Sequence, residues 1–138
     1  IKDGDAQYMA TLPDNAVDFV NSSHCLEHMV DPATALHNWI RVCKSGGYVA
    51  ITVPDEDMYE HGLWPSRYNR DHKWSFTTKS NSHMPKSINV LTFLEQFRAV
   101  VEVIYVKTIT DGYDPSNKYS DQTLGPAECA VEFVLRKK

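Results

Sequence analysis

The sequence predicts an α/β fold: a mixed sheet of about four strands, with parallel strands plus a C-terminal antiparallel hairpin, flanked by helices in three layers. Three observations predict it. Residues 16–22 (AVDFVNS) and 48–53 (YVAITV) are short apolar runs, rich in β-branched and aromatic residues and bounded by turn signals. Between them the apolar positions recur with a helical period, so strand, helix and strand form a crossover unit that implies parallel, right-handed pairing. Two later β-branched runs, residues 99–109 and 128–135, flank a polar loop holding Gly112, Pro115, Gly125 and Pro126, and pair most simply as an antiparallel hairpin.

Taken in order, residues 1–14 hold a strand end, then Gly4-Asp5-Ala6, then a polar connection closing on Leu12-Pro13-Asp14. The first full strand, 16–22, runs into SSHCLEHMVDP, a polar and histidine-rich turn. Asp31 suits a helix N-cap and Pro32 its first turn. The helix is expected over 33–43, with Ala35, Leu36, Trp39, Ile40 and Cys43 on one face. Lys44-Ser45-Gly46-Gly47 closes it as a C-terminal cap rather than a phosphate cradle. Pro54-Asp55 ends the second strand. Residues 55–86 are polar yet carry Tyr59, Trp64, Tyr68, Trp74 and Phe76, which suggests a lid or wall over a site at the carboxyl ends of the parallel strands. Ser87 is expected to cap a second helix running to Phe97, with Val90, Leu91, Leu94 and Phe97 as its stripe. No internal repeat or low-complexity segment interrupts the chain.

Length and composition bound the function. One hundred and thirty-eight residues suit a single domain, 1–138, large enough for a core. A hydrophobic share of 42% against 23% charged excludes a disordered or fibrous chain. The net charge of −4 argues against a nucleic-acid binder that works by neutralising phosphates. No apolar run approaches the roughly eighteen residues of a membrane span, and the polar, acidic N-terminal stretch lacks a signal-peptide pattern. Cys25, Cys43 and Cys129 show no CxxC or framework spacing, which fits free thiols in a reducing, cytoplasmic compartment.

The densest chemistry is His24, Glu27, His28 and Asp31, directly after the first strand, where open α/β sheets place their ligands. His24 and His28 are four apart and share a helix face, but the order His-Cys-Leu-Glu-His does not match the zincin pattern, so no metal site is expected. The bland reading of Glu27 and His28 is that they bond loop backbone and orient the turn. A second set, Arg67, Asn69, Asp71, His72, Lys73 and Trp74, reads either as a solvated loop or as a substrate-side wall with His72 as a general base. Cys25 beside His24 suggests a nucleophile, although a small buried thiol is commoner. Asp5, just after a strand end, can accept hydrogen bonds from an amine or hydroxyl. No Walker A, GxGxxG or GxSxG pattern occurs in these residues.

The ordered series GDA…LP, then VDFV, then LEHMVDP, then RVCKSGGY leading into an apolar strand resembles the second half of a class I S-adenosylmethionine-dependent methyltransferase, of the group called methyltransferase type 11. The resemblance covers residues 4 to about 55, and DHKWSF at 71–76 resembles a segment of some members. It implies a Rossmann-like methyltransferase sheet with S-adenosylmethionine as cofactor. Asp5 would then contact the adenine amine and Ala6 would offer its backbone to the ring. Ser22 and Ser23 would lie near the methionine part, with His24, His28 and His72 as candidate bases at the transfer site. The methyl acceptor would be a small molecule.

The same comparison implies that the family's first strands and glycine-rich cofactor loop do not fall within these residues. The chain is therefore expected to be truncated and to bind cofactor weakly alone. Its 17–22 strand would be an exposed edge, inviting a homodimer by edge pairing or swapping. The alternative function is a non-catalytic α/β module that binds a partner through that edge.

Overall fold

In the computed structural model, residues 4–82 and 84–138 are described. The strand end expected at residues 1–3 lies outside them. The elements follow in order: β1 (Val17–Ser23), a 3-10 turn (Leu26–His28), α1 (Pro32–Val42), β2 (Cys43–Pro54), β3 (Ser75–Thr77), β4 (Ser87–Asn89), α2 (Val90–Glu95), β5 (Val101–Ile109), a second 3-10 turn (Gln122–Leu124) and β6 (Ala130–Lys137).

The main sheet has the strand order β1-β2-β6-β5. β1 and β2 are parallel, with Val20 opposite Val49 and Ser22 opposite Ile51. β6 runs antiparallel to both β2 and β5, so the C-terminal hairpin inserts its second arm into the middle of the sheet. Among the described residues β1 has one neighbour, and its outer edge is open.

Period-two alternation sets the core. Val49, Ile51 and Val53 of β2, and Val131, Phe133 and Leu135 of β6, point to one face and are fully buried. Against them lie Leu36, Trp39 and Ile40 of α1 and Val90, Phe93 and Leu94 of α2. Each such apolar side chain contributes about 1.5–3 kcal/mol through burial. The three layers expected are two here: both helices share one core with one face of the sheet. On the other face Phe19, Tyr48 and Tyr105 stay exposed.

Several expected boundaries move. Cys43 is the first residue of β2 rather than part of the helix, and α1 ends at Val42. Lys44–Gly47 form a bulge: Val17 faces Cys43 and Phe19 faces Tyr48, with Gly46 at φ +81° turning the chain. Ser87 does not cap the second helix. It belongs to β4, which pairs in parallel with β3, and its hydroxyl donates to the Glu56 carboxylate. Asn89 is the cap, its side chain accepting from the Thr92 amide at 3.0 Å, and the helix ends at Glu95, not Phe97. No helix among the described residues is long and apolar enough to cross a membrane.

Candidate functional site

β1 ends at the level of the sheet's carboxyl edge, where the His24 amide donates to the Thr52 carbonyl of β2 at 2.9 Å. His24 has a positive φ of 49°, which reverses the chain into the Leu26–His28 turn. Leu26 inserts into the core and is fully buried, and this anchor draws Glu27 inside with 0% exposure. The Glu27 carbonyl accepts from the amides of Lys73 and Trp74 at 2.8 and 3.2 Å. The Trp74 indole donates to the Met29 carbonyl at 3.0 Å. These bonds hold the 71–74 stretch against the turn, so that His72 meets Glu27.

The imidazole geometry follows from the partners. His72, itself buried, donates from Nδ1 to Glu60 Oε1 at 2.7 Å. His28 donates from Nδ1 to the Asp71 carbonyl at 3.2 Å. A carbonyl and a carboxylate accept and cannot donate, so both Nδ1 atoms carry a proton and both Nε2 atoms are the ones left free. The two Nε2 atoms face Glu27 Oε1, at 3.8 Å from His28 and 4.0 Å from His72. The two rings meet edge to face, 4.9 Å apart. His24 approaches the same oxygen with Nδ1 at 3.7 Å. The Glu27 carboxylate holds the His24 pKa above its ordinary value, with partial burial opposing.

The three histidines open into a cleft of about 520 Å³. Tyr59 and Asn69 wall it from the long loop, and Thr123, Pro126 and Glu128 from the segment entering β6. Burial, with Asp121, Glu60 and Glu27 nearby, pushes the Tyr59 hydroxyl up to about 12, so it stays a neutral donor.

The candidate bases His24, His28 and His72 are thus brought together. The candidate cofactor residues Asp5, Ala6, Ser22 and Ser23 do not line this cleft. Asp5 is exposed, its Oδ1 accepting from the Gln7 amide at 2.8 Å and its carbonyl from Tyr8 and Met9. The Ala6 carbonyl accepts from the Trp39 indole at 2.9 Å, which ties this segment to α1. Ser22 is buried beside Cys25, and Ser23 is exposed at the end of β1.

Of the remaining candidates, Asp31 is the cap of α1, and Asp71 contributes its carbonyl to His28. Burial raises the Cys25 pKa, with Glu27 adding to it, which makes the thiol a poor nucleophile. Sequence reasoning missed Glu60, whose fully buried side chain orients His72. It stands in an acidic run, DEDMYEHG, that carries no local sign of burial.

Comparison with known proteins bears on this arrangement. Residues 1–51 match the family model described as a methyltransferase domain. An uncharacterized methyltransferase of Schizosaccharomyces pombe is 34% identical over 76 residues, 55% of this chain and 27% of that protein. The chain therefore spans about a quarter of that relative's length. Among solved structures, the complex between the Haloferax volcanii Trm112 methyltransferase activator and its methyltransferase gives a TM-score of 0.61 at 19% identity, covering 96% of this chain and 59% of that one. A SAM-dependent methyltransferase from Thermotoga maritima gives 0.60 at 20% identity, covering 98% and 62%. The [4+2]-cyclase SpnF gives 0.57 at 18% identity, covering 97% and 54%, so one fold serves more than one chemistry. Residues 1–51 are thus similar to a methyltransferase domain, and the fold of the chain is the Rossmann-like α/β fold of these solved methyltransferases.

Proposed function

We propose that this chain forms the acceptor side, and part of the cofactor side, of a methyltransferase acting on a small molecule. The observation that carries this reading is the position of the histidine-lined cleft, at the carboxyl ends of the two parallel strands, immediately after the first of them. The residues present are compatible with the cofactor: the second carboxylate oxygen of Asp5 has no partner among the described residues and is open to an adenine amine. S-Adenosylmethionine, when bound, supplies a methyl group on a positively charged sulfur. Asp5 and the Ala6 backbone would hold the adenine, and Ser22 and Ser23 would border the methionine part. The acceptor would occupy the cleft, where positioning supplies most of the rate. Its proton would pass to an Nε2 lone pair of His28 or His72, or to His24.

Titration calorimetry with S-adenosylhomocysteine, run with a solution-mass measurement, tests this. Weak binding, of about 0.1–1 mM, is expected of the chain alone, with Asp5→Ala weaker by about tenfold or more for the lost charged hydrogen bond. No binding up to millimolar ligand would overturn the chain's part in cofactor binding. A second reading is favoured by the open edge of β1, where Phe19 is 56% exposed: pairing of that edge with another strand, from a partner or a second copy. A monomeric mass at high concentration would remove the second copy.

A further inference from the structure

We propose that Glu27, His28 and His72 form a binding site for a first-row divalent transition metal of the zinc class. The three ligand atoms lie within 4.8 Å of one another. Glu27 is fully buried, and neither carboxylate oxygen has a hydrogen bond among the described residues. Burying an unpaired carboxylate costs several kcal/mol, so a structure that retains one needs a positive charge there. The nearest imidazole nitrogens stand 3.7 to 4.0 Å from Glu27 Oε1, beyond hydrogen-bond reach. With Nδ1 of His28 on the Asp71 carbonyl and Nδ1 of His72 on Glu60, both imidazoles turn Nε2, the usual ligating atom, towards Glu27. Two imidazole nitrogens and a carboxylate oxygen converging on one point form a ligand set that a cation between them would join.

The supporting contacts match what metal-bound histidines need. A carboxylate or carbonyl on the far ring nitrogen fixes the tautomer and raises the basicity of the ligating one. Two ligands of a tetrahedral zinc lie about 3.3–3.5 Å apart, from bond lengths of about 2.0–2.1 Å. The observed separations from Glu27 Oε1, 3.8 and 4.0 Å, close to this by a contraction of about half an ångström. Two histidines and one carboxylate leave a coordination position open, and here it opens on the cleft. An oxygen or nitrogen donor of a cleft ligand would take it. The site stands whether or not the chain transfers methyl groups. With the ion seated, His28 and His72 act as ligands, and His24 is the imidazole left to accept a proton.

The test is metal binding by the chain itself. After zinc loading and gel filtration, elemental analysis should find about one zinc per chain. Glu27→Gln and His72→Ala should each weaken zinc binding by about 100-fold or more, and Glu60→Gln by about 10–100-fold. The exposed His37→Ala should change nothing. Long-range proton–nitrogen spectra of the unmutated chain avoid any folding defect. Zinc should shift Nε2 of His28 and His72 and leave their Nδ1 atoms protonated. Equal zinc retention by Glu27→Gln, or unmoved Nε2 resonances at saturating zinc, would overturn the site.

Discussion

Gly47 has no room for a methyl group. A Cβ there would sit 2.5 Å from the Asp18 carbonyl oxygen and 2.8 Å from the Cys43 sulfur, and the first of these belongs to the backbone of β1. Gly47→Ala should therefore cost about 1–3 kcal/mol through forced separation of β1 from β2. An unchanged urea midpoint would refute this account. His24, Glu27 and His28 could be read from the sequence as one cluster because they share a single turn. His72 could not be joined to them. Its place depends on backbone bonds from Lys73 and Trp74 to Glu27, and on the Trp74 indole reaching Met29 across 45 residues. Glu60 was illegible for the same reason: its burial follows from a loop packing over the turn, not from its neighbours in sequence.

At the scale of elements, α1 was readable almost to the residue because its signals are local. Asp31 accepts from Ala33 and Thr34 amides at 3.0 and 3.2 Å, and Pro32 occupies the first turn. Asp31→Ala should cost about 1 kcal/mol. The Thr34 hydroxyl and amide, with the Ala33 amide, hold the Asp31 carboxyl below its ordinary pKa. Its contribution is therefore present above the unfolded-state value and is lost as pH falls through the lower folded-state value. Chemical denaturation of wild type and Asp31→Ala at several pH values should show the gap between them closing in acid. A gap that widened there would contradict the assignment. By contrast, β4 was hidden. Ser87-Ile88-Asn89 looks like a helix start, and it becomes a strand because β3 lies beside it. The bulge at Lys44–Gly47 was likewise read as a cap, since glycines after a helix carry that meaning until a neighbouring strand claims them.

Over the whole molecule, one core on one sheet face holds the elements together. Phe133, fully buried on β6, one of the two inner strands, belongs to that core together with the apolar stripes of both helices. Phe133→Ala should cost about 3–5 kcal/mol, a large share of the stability typical of a domain. Calorimetric melting checks it, and a loss below about 1 kcal/mol would show that the sheet is not the main store of stability. The position of β6 has a consequence for synthesis. Strands leave the ribosome in the order β1, β2, β5, β6, yet β6 is the one that joins β2 to β5. Without Ala130–Lys137, β5 has no partner in the main sheet among the described residues. Translation must therefore run to the last of these strands before the sheet can close. Until then Val49, Ile51 and Val53 lack the neighbours Leu135, Phe133 and Val131 that stand opposite them in the finished sheet.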